Sequence, residues 1–314
     1  MNIADMPTIF QLLTFEESSK LTDEVNKNCH EIWKEYFSHE DYNEFLAKYL
    51  FGDSPVQRAL AYRVMSQDLY HQLAKRVFEQ VKLLNIKAEG EEIEELLCHP
   101  IFYIRKLTKD VYHRVETQKS LFESQPHFDR TFDTYAFTVW IALTEVNEKT
   151  GGVCWFEDPT NKIEKYKSSW GEKNVLGFTN YIQNFQEIDR DFIKTVKTRS
   201  ISSGQCYLFD SNMLHGGTKP TENRERISFD MRFVPVTKKN KTSIKREIRD
   251  FQRNIDNWSA LNLLTLGDQS AATSKAENVE ELEKQHSLPR VDKKPFEKPF
   301  DKVHWSTEYS WTRN

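Results

Sequence analysis

The sequence predicts a mainly β domain with helical additions, and three observations carry that prediction. Up to about residue 86 apolar residues recur at three- and four-residue steps between charged ones. Beyond the acidic stretch Glu89 to Glu95 the pattern changes to short segments rich in aromatic and β-branched residues. The 314 residues also fit one large β architecture with embellishments.

In chain order, Ile9 to about Leu50 and Val56 to about Ile86 are expected as amphipathic helices. The second shows its stripe at Tyr70, Leu73, Val77, Val81 and Leu84. Residues 1–95 are thus assigned as N-terminal helices. Strands follow at Ile101 to Leu107, Tyr135 to Leu143, Val153 to Phe156, Gln205 to Phe209 and Ile227 to Val236. Between Asp158 and Ile201 lies a polar insertion carrying Trp170, Phe178, Tyr181 and Phe185. It is longer than a hairpin needs, so residues 158–201 read as a lid or as a structural insertion. Past residue 236 a helix is expected to about Leu266, followed by a Ser-, Lys-, Glu- and Pro-rich tail that is partly disordered or docked by Trp305, Tyr309 and Trp311. The expected layout is one catalytic domain over 1–236 and a helix with tail over 237–314.

Composition narrows the function classes. Hydrophobic residues make up 38% and charged residues 29%, with a mean hydropathy of -0.71, as expected of a soluble protein. No apolar run reaches the roughly 20 residues needed to span a bilayer, and Met1 to Thr14 lacks a basic start with an apolar continuation. A cytoplasmic protein without membrane association is expected. Cys29, Cys98, Cys154 and Cys206 form no CxxC pair, which favours buried reduced thiols over a zinc site. A net charge of -4 argues against nucleic acid as a partner, and the basic run Lys238 to Arg253 reads as a solvated helix face.

Two histidines and a carboxylate can cap one face of an Fe(II) octahedron, leaving three positions for a co-substrate and dioxygen. The pattern needs a close HxD pair and a distant histidine. Two HxD triplets occur, His39-Glu40-Asp41 and His127-Phe128-Asp129. The first lies in a helix-patterned polar stretch, where residues two apart diverge, so it is assigned to solvent. His127 leads into a strand, and on an extended backbone residues i and i+2 share a face, so His127 and Asp129 can reach one ion. His215, just after the strand Gln205 to Phe209 and followed by Gly216-Gly217, is the candidate third ligand. Eleven residues later Arg226 begins a strand on which Ser228 shares its face, offering a planar fork and a hydroxyl to a carboxylate. Arg232 has the same parity and Arg224 is close by; surface salt bridges are their simpler explanation.

The string His127-Phe-Asp129, Thr138-Val-Trp140-Ile-Ala-Leu143, Thr150-Gly-Gly152, Gly204 to Phe209, His215 and Arg226-Ile-Ser228 resembles the phytanoyl-CoA dioxygenase-like family in order and spacing. The likeness covers roughly Glu116 to Val236. It implies a double-stranded β-helix, a jelly-roll or cupin-like barrel, with Fe(II) held by His127, Asp129 and His215. It also implies 2-oxoglutarate on Arg226 and Ser228 beside Trp140, although Trp140 reads equally well as a core tryptophan. Family members often have Ser two residues after the distal histidine; Gly217 stands there, so that contact is either missing or supplied from elsewhere, by Lys119 or Thr138. Asp129 sets the chain apart from the related halogenases. The implied reaction consumes O2 and 2-oxoglutarate, releases succinate and CO2, and hydroxylates an unactivated C–H of a small polar metabolite. The alternatives are a non-catalytic binding module on the same barrel and a zinc or manganese hydrolase using the same ligands. Substrate identity and oligomeric state are not legible.

Overall fold

The computed structural model describes residues 7–50, 60, 63–64, 67–98, 103–117, 137–157, 194–196, 200–210, 213, 215–242 and 264–265. Helix α1 (Phe15–Tyr36) starts at a capping box: Thr14 Oγ1 accepts from the Glu17 amide at 3.1 Å and Glu17 Oε2 accepts from the Thr14 amide at 2.8 Å. Its buried stripe is Leu21, Val25, Cys29 and Ile32. Helix α2 (Tyr42–Phe45), capped by Asp41, runs on into a π turn at Leu46–Leu50. Helix α3 (Gln67–Leu83) buries Leu73, Val77 and Val81, the stripe its periodicity predicts. Arg76 of α3 holds Glu17 through two bonds, at 2.8 and 2.7 Å. That ion pair, with the cap, lowers the Glu17 carboxyl from its ordinary 4.5 to about 2.

Among the described residues the strands form two antiparallel sheets. The large one contains β1 (Thr8–Gln11), β2 (Lys87–Ala88), β3 (Glu91–Cys98), β4 (Tyr103–Leu107), β5 (Phe137–Ala142), β8 (Gln205–Asp210), β10 (Arg226–Thr237) and β11 (Leu264–Thr265). Its order is β1-β8-β5-β10-β3-β11, with β4 also on β10 and β2 on β3. The small sheet is β7-β6-β9, from β6 (Val153–Glu157), β7 (Lys194–Val196) and β9 (His215–Gly217). From β5 onward the chain alternates between them, passing to β6 and β7, back to β8, over to β9 and back to β10. That alternation makes the β domain jelly-roll-like. Helix α4 (Lys109–Thr117) follows β4.

Strand parity gives the large sheet two different faces. Phe137, Val139, Ile141, Leu208, Phe229, Met231 and Phe233 belong to the core shared with the helices, and Phe137 and Phe233 stack at 5.4 Å. The opposite face carries Trp140, Ala142, Tyr207 and Phe209, which pack with Val153 and Trp155 of the small sheet.

Several expected helical stretches are strands. Thr8–Gln11 pairs with β8 instead of opening a helix, because its β-branched and aromatic residues complete the sheet edge and bury Phe10. Gly204 enables this docking: it has φ +83°, and a Cβ there would collide with the Leu13 carbonyl. Glu91–Cys98, assigned to the helical 1–95 region, is a strand with Ile93 and Leu96 buried, paired to β10. Leu264–Thr265, placed at the end of the C-terminal helix, also pairs with β3. The tail beyond residue 266 lies outside the described residues. Cys29, Cys154 and Cys206 are buried and unbridged. Burial pushes the Cys29 thiol up to about 12 and Cys154 to about 11. His39 is exposed, and Asp41 caps α2 and pairs with Arg114 at 3.1 Å. No described helix is long and apolar enough to cross a membrane.

Candidate active site

The inner face of the large sheet is arranged in cross-strand rows centred on β10. Ser228 lies opposite Ala142 on one side and Arg105 on the other. Asp230 lies between Trp140 and Tyr103, and the Trp140 row continues to Tyr207. Arg232 lies opposite Thr138, whose row continues to Phe209. The residue between two such positions on any of these strands lies on the opposite face, toward the helices.

Arg226 and Ser228 are both buried, on one face, at the start of β10. The Arg226 guanidinium lies 5.6 Å from the Trp140 ring centroid, so Trp140 is both a core residue and the wall against which the arginine rests. Ser228 is fully buried, and its Oγ has no hydrogen-bond partner among the described residues. An unsatisfied buried hydroxyl costs about 1–3 kcal/mol. A guanidinium with a hydroxyl that lacks an acceptor or donor beside it is the donor set a carboxylate requires. Arg224, by contrast, pairs with Glu145 at 3.1 Å on the surface.

His215 opens β9 opposite Trp155. Its Nδ1 lies 2.9 Å from the Met213 carbonyl, an acceptor only, so Nδ1 carries the proton and Nε2 the lone pair. That is the ring state of a metal-ligating histidine. Phe209 packs against the imidazole at 4.7 Å. The motif Thr150-Gly151-Gly152 fixes the chain that leaves β9: the Gly152 amide donates to Thr218 Oγ1 at 2.7 Å, and the Thr218 amide donates back to the Gly152 carbonyl at 2.8 Å. Gly151 has φ +77°, and a Cβ on it would meet the Thr218 carbonyl at 2.7 Å. Cys154 Sγ donates to the Gly216 carbonyl at 3.4 Å on the same strand pair.

His127, Asp129 and Lys119 lie outside the described residues, as does most of the insertion. Its described parts, β7 and Ile201, belong to the scaffold: β7 pairs with β6, and Ile201 bridges to Val146 in the inner core. Among the described residues no three His, Cys, Asp or Glu side chains are grouped to hold a metal. Thr138 is buried on the inner face, but in the Arg232 row rather than beside Arg226.

Sequence reasoning missed Tyr103, Arg105, Asp230 and Trp155. Asp230 carried a usable signal, since its parity matches Arg226 and Ser228. Trp155, buried with its Nε1 lacking a hydrogen-bond partner among the described residues, lies across from His215. Tyr103 and Arg105 reach the site only through the pairing of β4 with β10, more than a hundred residues later, which no local pattern encodes.

No family model matches the chain, and no curated protein matches it. The phytanoyl-CoA dioxygenase-like resemblance therefore rests on the motif residues. Among solved structures, the non-heme alpha-ketoglutarate-dependent epimerase SnoN from nogalamycin biosynthesis is 15% identical with a TM-score of 0.33, over 54% of this chain and 57% of that one. The chain thus spans less than two thirds of that epimerase. CytC3 with Fe(II) and alpha-ketoglutarate is 14% identical with a TM-score of 0.36, over 75% and 76%. EvdO2 from Micromonospora carbonacea var. aurantiaca, complexed with 2-oxoglutarate, is 10% identical with a TM-score of 0.37, over 73% and 86%. At these values the likeness assigns no residue of this chain a role.

Proposed function

We propose that this chain is an Fe(II)- and 2-oxoglutarate-dependent oxygenase of the phytanoyl-CoA dioxygenase-like type. On this reading the alternating sheets are a double-stranded β-helix, and the reaction hydroxylates a small polar metabolite. The observation that carries it is the buried hydroxyl of Ser228, without a hydrogen-bond partner among the described residues, on the same face of β10 as the buried Arg226 and on the strand that follows a histidine held through Nδ1 by the Met213 carbonyl.

Among the described residues, the chemistry of Arg226 and Ser228 suits the co-substrate and that of His215 suits one metal ligand. Arg226 and Ser228 would take the distal carboxylate of 2-oxoglutarate, with Trp140 as one wall. His215 Nε2 would take iron, with His127 and Asp129 completing the face. When bound, iron and 2-oxoglutarate activate dioxygen, coupling decarboxylation of the co-substrate to succinate and CO2 with oxidation of a substrate C–H.

The protein's own work is orientation and exclusion of water. The Met213 carbonyl keeps the imidazole in one tautomer and one plane. Thr150, Gly151 and Gly152 hold the turn behind it. Trp140, Trp155, Tyr207 and Phe209 pack into one buried apolar cluster, and a low dielectric beside Arg226 would strengthen an Arg226–carboxylate contact.

The test is anaerobic loading with Fe(II) and 2-oxoglutarate, reading the visible metal-to-ligand charge-transfer band. The wild type is expected to show the band, His215→Ala to lose it, and Arg226→Ala to need far more 2-oxoglutarate. An iron-loaded wild type without the band overturns the assignment in favour of a binding module or a hydrolase.

A further inference from the structure

Trp155 carries a polar group that the roles given to His215, Arg226 and Ser228 leave unused. The residue is 5% exposed, and its Nε1, shut off from solvent, has no hydrogen-bond partner among the described residues. An indole nitrogen is a donor only, and a buried one ordinarily finds an acceptor.

Its place in the fold says where that acceptor belongs. Trp155 lies directly opposite His215 in the β6–β9 pair, so the two side chains share the inner face of the small sheet, with Cβ atoms about 5 Å apart. Both rings pack on Phe209, the indole at 6.3 Å and the imidazole at 4.7 Å. Tyr207 touches both tryptophans, at 5.1 Å from Trp155 and 5.7 Å from Trp140, and Arg226 rests on the latter. Ring contacts therefore run without a break from the arginine to the neighbour of the histidine. A dicarboxylate reaching from Arg226 and Ser228 to a metal on His215 follows this aromatic wall and ends beside Trp155. The next inward pair on the same two strands, Gly217 and Val153, carries no side-chain donor.

The chemistry of the co-substrate supplies what the indole lacks. A 2-keto acid chelates a metal through its keto oxygen and one carboxylate oxygen, and the other carboxylate oxygen stays free. In an apolar enclosure that partly charged oxygen needs a donor, and a hydrogen bond to an ionised acceptor is about twice as strong as one between neutral groups.

We infer that the Trp155 indole N–H binds the uncoordinated oxygen of the keto-acid carboxylate of 2-oxoglutarate. This rests on the oxygenase reading and extends it to the other end of the co-substrate: Arg226 and Ser228 take the distal carboxylate, and Trp155 takes the proximal one. Recognition of both ends selects 2-keto dicarboxylates over dicarboxylates without the keto group.

The experiment uses the full chain, isotope-labelled on its indole nitrogens and loaded with Zn(II) as a diamagnetic stand-in for iron. Indole N–H resonances are followed by NMR as 2-oxoglutarate or glutarate is added. Glutarate keeps both carboxylates but cannot form the keto-acid chelate. Trp155→Phe identifies the resonance and keeps an aromatic ring in place. The Trp155 proton is expected to move downfield with 2-oxoglutarate and to stay with glutarate. In the Fe(II)-loaded protein, Trp155→Phe should need about tenfold more 2-oxoglutarate to develop the charge-transfer band, while its glutarate affinity stays within about twofold of wild type. Should Trp155→Phe fail to melt cooperatively, the wild-type resonance, assigned through its contact with Tyr207, decides alone. The inference is overturned if 2-oxoglutarate produces the band and moves the Trp140 resonance while that of Trp155 stays, the result expected of an N–H resting on the Tyr207 ring. It is overturned equally if glutarate moves Trp155 as far as 2-oxoglutarate does, or if Trp155→Phe binds 2-oxoglutarate like wild type. A wild type with neither band nor any indole shift sinks the oxygenase reading itself, and this inference with it.

Discussion

At the scale of single residues, groups that serve stability differ from those the proposed function assigns to a ligand. Glu17 is of the first kind. Its carboxyl is lowered from 4.5 to about 2 by the Arg76 bonds and the α1 cap, so its contribution is fully present above pH 4.5 and lost as pH falls toward 2. The side chain is 34% exposed, which reduces the effect by solvent screening. Glu17→Gln is expected to lower stability by about 1 kcal/mol at pH 7, with the gap to wild type closing near pH 2; urea melts at both pH values check this. On the proposed function Ser228 is of the second kind. Removing a buried hydroxyl that lacks a partner relieves a desolvation cost, so Ser228→Ala should leave the ligand-free protein as stable or up to about 1 kcal/mol more stable. The same change should weaken 2-oxoglutarate about tenfold, read by titrating the charge-transfer band. A Ser228→Ala protein that is destabilised and binds 2-oxoglutarate normally would assign the hydroxyl to packing.

Elements position these residues, and here the sequence was only partly legible. β4, β5, β6, β8 and β10 fall on the expected segments because each is a short aromatic or β-branched run. β3 misled because Ile93, Leu96 and Leu97 fall at a helical spacing among glutamates; pairing with β10 overrode that local pattern. β1 is four residues long and gains its stability from the β8 edge rather than from its own pattern. The site divides in the same way. His215, Arg226, Ser228 and Trp140 were readable from spacing and motif, whereas Arg105 and Tyr103 depend on register between distant strands. The Thr150-Gly151-Gly152 motif belongs to this scale too, since it joins the end of β9 to the loop before β6. Gly151→Ala forces a Cβ against the Thr218 carbonyl at a positive φ, and is expected to cost about 2 kcal/mol and to weaken iron binding at His215. Chemical melts and Fe(II) titration measure the two effects; unchanged metal affinity in a destabilised variant would confine the motif to folding.

Across the whole molecule, the large sheet is a wall between two compartments with opposite demands. One side is a dry core sealed by α1 and α3, and the other carries three arginines and an aspartate among aromatic rings. Phe229 belongs to the first compartment although its chain neighbours Ser228 and Asp230 belong to the second. Phe229→Ala should therefore cost about 3–5 kcal/mol of stability while leaving the 2-oxoglutarate affinity of the folded fraction within about twofold of wild type. Calorimetric melting together with titration at low temperature tests this, and a large loss of affinity would show the two compartments to be coupled.

The strict alternation along β10 also limits how this protein can diverge. Inserting or deleting a single codon between Arg226 and Phe233 would turn Phe229 and Met231 into the polar chamber and send Asp230 and Arg232 into the oily side, destroying fold and site in one event. Length changes in a lineage of such proteins should therefore accumulate in the loops and spare this strand, and new specificities should arise there by exchanging even-numbered side chains one at a time.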